Sequence, residues 1–82
     1  MFRHNLTRWR VKTMEQIQIT GEWIKLDALL KFANLVSSGG EAKIRIANGE
    51  VLVNDAVCTM RGKKIRVGDR IQLEEQMIEI IR

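Results

Sequence analysis

The tetrapeptide Ser38-Gly39-Gly40-Glu41 constrains the chain more than any other feature, because it fixes where one helix must begin. A serine followed three residues later by glutamate is a capping box. The hydroxyl accepts from the backbone N–H of Glu41, and the Glu41 carboxylate reaches back to the Ser38 backbone. The spacing predicts a helix from Gly39 to Asn48 that buries Ala42 and Ile46 and stops at Gly49. Upstream, Leu26, Leu29, Leu30 and Ala33 recur at i, i+3, i+4 and i+7, the apolar stripe of another short helix. Two helices joined by a Ser/Gly turn are therefore set before any other element is considered.

Around this helical pair the pattern changes to period two. Ile17 and Ile19 alternate with polar neighbours in Glu15–Thr20, a short strand that Gly21 ends. Val51-Leu52-Val53 and Ala56-Val57-Cys58 flank Asn54-Asp55, two residues that tolerate positive φ and suit a tight hairpin. Ile65-Arg66-Val67 and Ile71-Gln72-Leu73 flank a turn at Gly68-Asp69-Arg70, and Met77 to Ile81 reads as a closing strand. The order β-α-α followed by strands predicts an α+β fold, with two short helices packed beside a small antiparallel sheet. Phe32 and Cys58 are expected in the core, and Trp23 either in the core or on a partly exposed flank.

With 82 residues there is room for one domain and one thin core. The single cysteine, Cys58, allows no internal disulfide and fits a reducing cytoplasm. Cys58 and the lone His4 are too few for a zinc site. No apolar run approaches a membrane span, and the start of the chain lacks the apolar centre of a secretory signal. Catalysis has no constellation to rest on. The only histidine lies in the unpatterned N-terminus, Glu74-Glu75 reads as a solvated turn, and no Gly-rich loop follows a strand. The chain is read as a non-enzyme that needs no cofactor and no small-molecule substrate.

Charge points elsewhere. The net charge is +4, and residues 1–13 hold all of it in Arg3, Arg8, Arg10 and Lys12. This segment is read as a mobile basic extension ahead of a domain at 14–82. A phosphate-touching arm, a targeting-like leader, or a stretch upstream of a true start at Met14 each fit it. Residues 14–82 carry ten basic and ten acidic side chains, yet the signs are segregated. Lys25, Lys43 and Arg45 cluster about the helical pair, and Arg61, Lys63, Lys64 and Arg66 fill the loop near Gly62. Such a field on a neutral domain is the footprint of an anionic partner, for which nucleic acid is the leading choice. The N-terminus of the second helix adds outward N–H groups at Gly39 and Gly40, which carry no side chain to keep a phosphate away. Equally, the two glycines fit a tight turn between helices. No β segment carries an aromatic residue, so RNA is expected to be read by shape and phosphates rather than stacked on a sheet.

The ordered set Lys25-Leu26-Asp27-Ala28-Leu29-Leu30, Ala33, Ser38…Glu41-Ala42-Lys43, Gly49-Glu50-Val51-Leu52-Val53-Asn54 and Val67-Gly68-Asp69-Arg70-Ile71 resembles the S4 RNA-binding domain. The resemblance runs from about Ile24 to Leu73. It implies that two helices and a hairpin form a surface gripping structured RNA, here ribosomal RNA or a ribosomal particle. The usual pattern has an arginine directly after the serine, where this chain has Gly39. The SGGEAK form is similar instead to small stand-alone S4 proteins of the YaaA/YbcJ type, which implies a cytoplasmic, monomeric role in large-subunit assembly. Lys25, Ser38, Gly39, Gly40, Lys43, Arg45, Arg61, Lys63, Lys64 and Arg66 are the expected RNA-binding positions. Two other readings stand beside this one: an adaptor whose basic patch meets an acidic protein, and a helix-turn-helix DNA binder.

Overall fold

The computed structural model describes residues 11–82. Strand β1 (Thr13–Gln18) leads to a two-residue strand β2 (Ile24–Lys25), then helices α1 (Leu26–Phe32) and α2 (Gly39–Ala47). Five strands follow: β3 (Val51–Val53), β4 (Ala56–Val57), β5 (Lys64–Ile65), β6 (Arg70–Leu73) and β7 (Gln76–Ile81). The main sheet has the order β1-β7-β6-β3-β4, and β2 pairs with β5 in a separate ladder.

Both helices end as their sequences dictate. Asn34 adopts φ 61°, Leu35 N–H donates to Leu30 O at 2.9 Å, and Asn34 N–H to Lys31 O at 3.0 Å. At α2 the same pattern recurs with Gly49 at φ 77°, Glu50 N–H on Arg45 O at 3.1 Å and Gly49 N–H on Ile46 O at 3.0 Å. Both are Schellman closures, which satisfy otherwise orphaned carbonyls. Seven residues are too few for a helix to persist alone. Tertiary burial holds α1: Leu26, Leu29 and Leu30 are fully buried, each stabilising by about 1.5–3 kcal/mol. Ala42 and Ile46 of α2 meet them, over a sheet face built from Val51, Val53, Ile71, Leu73, Ile78 and Ile80.

Three expectations are corrected. The sheet is mixed, because β1 runs parallel to β7 with Ile17 opposite Ile80, while the other pairings are antiparallel. A parallel neighbour lets the first strand join an edge after the rest of the chain has passed through the helices. Secondly, β5 forms no hairpin with β6. Ile65 is fully buried and faces Ile24, which takes it to the other ladder. Thirdly, Phe32 is 61% exposed, since Leu29 and Leu30 occupy the inward face of α1. Cys58 falls just past β4 and is half-buried against the core. Residues 1–10 of the basic extension lie outside the described residues. Lys12 and Thr13 both donate to Glu75 O, at 2.6 and 3.2 Å, and the first strand opens at Thr13.

The Asn54-Asp55 turn forms as expected, with φ of 52° and 71°. The Asn54 side chain then ties this hairpin to the next turn. Its Oδ1 accepts from Arg70 N–H at 3.0 Å, and its Nδ2 donates to Asp69 Oδ1 at 3.1 Å.

Candidate nucleic-acid interface

Helix α1 lacks a side-chain cap, because its N-cap residue is Lys25. The loop after β4 supplies the missing acceptors: Leu26 N–H donates to Lys63 O at 2.9 Å and Asp27 N–H to Arg61 O at 3.1 Å. Loop residues 60–63 close on themselves through Lys63 N–H to Met60 O at 3.1 Å. These bonds stabilise the helix end and, in the same stroke, pin Arg61, Lys63 and Lys64 beside Lys25. In the β2–β5 ladder Ile24 faces Ile65 on the buried side, while Lys25 lies directly opposite Lys64. Like charges opposite one another weaken a ladder. Among the described residues no carboxylate lies within ion-pair distance of Lys25, Arg61, Lys63 or Lys64. Lys64 instead rests its ammonium 4.8 Å from the centre of the Trp23 ring, a cation–π contact.

Arg66 continues this segment but turns away. Its N–H donates to Asp69 Oδ2 at 2.8 Å, and it borders a shallow groove with Glu22, Val67 and Arg82.

The N-terminus of α2 forms a second surface. Ser38 has an extended backbone and its Oγ accepts from Glu41 N–H at 3.1 Å, as the capping box requires. The reciprocal half differs. Glu41 Oε1 accepts from the N–H and the Oγ of Ser37, both at 2.8 Å, one residue beyond the expected Ser38. These bonds from Ser37, with Arg45 nearby, hold the Glu41 carboxyl below its ordinary pKa. Gly39 would have nothing within 4 Å of an added Cβ, and Gly40 only Ser38 Oγ at 3.8 Å. Neither has a positive φ. Packing therefore does not demand these glycines, and the tight-turn explanation loses its support. Lys43 follows Gly40 by three positions and Gly39 by four, which places it on the same exposed helix face.

Arg45 stands apart from the other cations. Its guanidinium donates to Glu50 Oε1, to Glu74 Oε2 at 2.6 Å and to Glu41 Oε2 at 3.4 Å, and only 19% of the side chain is exposed. The Glu50 bond leads in pushing its pKa above the ordinary arginine value. The network ties α2 to the start of β3 and to the β6–β7 turn, so Glu74 is a partnered residue rather than a merely solvated one. Three carboxylates surround this one cation and compensate its charge. The geometry thus brings Lys25, Arg61, Lys63 and Lys64 together and leaves Lys43 with Gly39, Gly40 and Ser38 at the neighbouring helix end. Trp23 was not among the sequence-derived positions. An N-cap position held by lysine was the one signal that a distant loop had to close this helix, and hence lie next to Trp23.

Two helices over a small mixed sheet, with an uncompensated cationic cluster at the entrance to the first helix, define a small α+β binding domain. The chain belongs to the S4 domain family, which matches residues 17–81. It is 45% identical over 58 residues to the Bacillus subtilis (strain 168) protein named "Probable ribosome maturation protein RlbA", covering 71% of this chain and 82% of that one. It is also similar to YbcJ from E. coli, whose solution structure is described as revealing an alphaL motif involved in RNA-binding. That likeness has a TM-score of 0.59 at 29% identity and covers 84% of this chain and 86% of the other. Among the described residues no helix is long and apolar enough to cross a membrane.

Proposed function

We propose that this chain binds structured RNA, ribosomal RNA in particular, as a non-catalytic factor in large-subunit assembly, acting as a monomer in the cytoplasm. The observation that carries the reading is the facing pair Lys25 and Lys64 with Arg61 and Lys63 fixed alongside. Four cations held together without a carboxylate raise the energy of the free protein, and an external polyanion removes that cost. Family membership and the names of the two relatives support RNA as that polyanion and ribosome maturation as the setting. Lys43, with the open N–H groups at Gly39 and Gly40, extends the phosphate-binding surface along α2. Ser38 serves it indirectly by capping the helix. The DNA-binding alternative has weak support, since α2 exposes Gly39, Gly40, Lys43, Ile44 and Ala47, with one cation and no amide to read base edges.

A titration of a structured ribosomal RNA fragment against duplex DNA of equal charge, repeated across salt concentrations, tests the proposal. RNA affinity is expected to fall with salt at a log–log slope steeper than about −3, the yield of four or more phosphate contacts at about 0.7–0.9 each. Equal affinity for duplex DNA, or no RNA binding at about 0.1 M salt, overturns it.

A further inference from the structure

Both aromatic residues of the described chain lie on the surface, Trp23 at 39% and Phe32 at 61% exposure. They come from different elements, the turn before β2 and the last position of α1, yet both line one open groove of about 380 Å³. Its floor and wall are Ile19, Ile24 and the chain from Gln18 to Gly21. Nothing in the packing explains Phe32, whose helix already buries Leu26, Leu29 and Leu30 on its inward side. The groove opens beside the cationic cluster. Ile24 in its wall adjoins Lys25, and the Trp23 ring lies under the ammonium of Lys64.

We infer that this groove is a nucleobase site: it takes one unpaired base whose flanking phosphates lie on Lys25 and Lys64. The inference rests on the RNA-binding reading and adds to it the feature of the RNA that is recognised. Charge complementarity selects this occupant over an apolar protein segment. The lining of the groove holds no carboxylate, its Trp23 ring carries the Lys64 ammonium, and its Ile24 is followed in the chain by Lys25. Such a setting suits an apolar ring bearing negative charge on either side, which is the pattern of a nucleotide within a strand. The volume lies within the about 300–1,000 Å³ typical of small-ligand sites. Aromatic side chains gain from stacking with any base. The sheet carries no aromatic platform, so stacking here is confined to one extruded base next to a paired stem that the cations hold by its phosphates.

The test uses two RNA hairpins with the same number of nucleotides, one fully paired in its stem and one with a single unpaired stem nucleotide. Binding is read by fluorescence anisotropy of labelled RNA. Wild type is expected to bind the bulged hairpin at least about fivefold more tightly, the lower end of a base–aromatic stack. Phe32→Ser should bring the two affinities together while leaving that for the paired hairpin unchanged, and Trp23→Leu, which also removes the ring under the Lys64 ammonium, should bring them together with some loss on both. Phe32→Ser alters an exposed residue, so it carries the test even if Trp23→Leu unfolds. In a Trp9→Phe background, emission then reports Trp23 and should be quenched by the bulged hairpin alone. Equal binding of the two hairpins by wild type, or a preference that survives Phe32→Ser, overturns the nucleobase site while the RNA reading stands. Failure to bind either hairpin overturns both.

Discussion

The basic loop and the Arg45 cluster are built from the same residue types, and they do opposite things with their charge. At the loop, Arg61 and Lys63 are fixed by backbone bonds to α1 and Lys64 by the β2–β5 ladder, so none of the three gives its charge to an ion pair among the described residues. At α2, Arg45 spends its guanidinium on Glu41, Glu50 and Glu74 and joins three elements. The comparison teaches that a cation is available to a partner only where the backbone, rather than the side chain, does the structural work. Counting arginines and lysines along a sequence cannot separate the two kinds.

Charge reversal at the loop offers the sharpest way to break that comparison. Lys63→Glu with Lys64→Glu should leave the melting temperature near wild type, because both side chains are exposed and neither forms an ion pair among the described residues. RNA affinity should fall roughly 25- to 60-fold at about 0.1 M salt, where each phosphate contact is worth just under one decade. Unchanged affinity and salt slope would place the loop outside the interface. Arg45→Gln should show the mirror image. Stability in urea should drop by about 1–2 kcal/mol, between an exposed ion pair and a buried one, while the salt slope of RNA binding stays constant. A slope shallower by about one contact would instead make Arg45 a phosphate ligand.

The smallest effect sharpens the contrast at the end of α2. An added side chain at Gly39 meets nothing within 4 Å, so Gly39→Arg is expected to fold normally. Restoring the arginine common in S4 domains should tighten RNA binding by about fivefold and steepen the slope by about 0.7–0.9. Weaker binding would mean that the bare N–H groups themselves meet the phosphate.

The legible parts of this fold were those governed by neighbours in sequence. The Ser38 cap, the Gly49 stop, the Asn54-Asp55 turn and the stripe at Leu26, Leu29 and Leu30 all form where short-range chemistry put them. What escaped was set by distant pairing. Ile65 alternates as convincingly toward β6 as toward Ile24, and period two says nothing of which strand a residue will face or in which direction. The parallel docking of β1 on β7 was invisible for the same reason. Within the site, the positions of Lys25 and the 61–64 loop could be read, but their meeting could not, because it depends on backbone bonds between segments more than thirty residues apart. The Arg45–Glu74 bond is equally hidden, because the two residues stand 29 positions apart. Hydrophobicity alone puts Phe32 in the core, whereas Leu29 and Leu30 take the inward face of α1 and leave it exposed.

The pairing of β1 with β7 also sets the tempo at which the molecule is completed. Thr13 meets Gln76, about 60 residues further along the chain. At synthesis rates of about 5–20 residues per second, β1 waits roughly 3–12 seconds for its partner to exist. During that interval the two helices can already close over β3 and β6, since their contacts are nearer in sequence. The first strand meanwhile has no ladder to join, and an unpaired strand edge invites association with other chains. Its polar alternation, Glu15, Gln16 and Gln18 around Ile17, keeps that waiting edge soluble until the last strand arrives. The strand β1 can therefore dock only once β7 exists, and a chain cut short before Gln76 would lack the strand that joins β1 to β6.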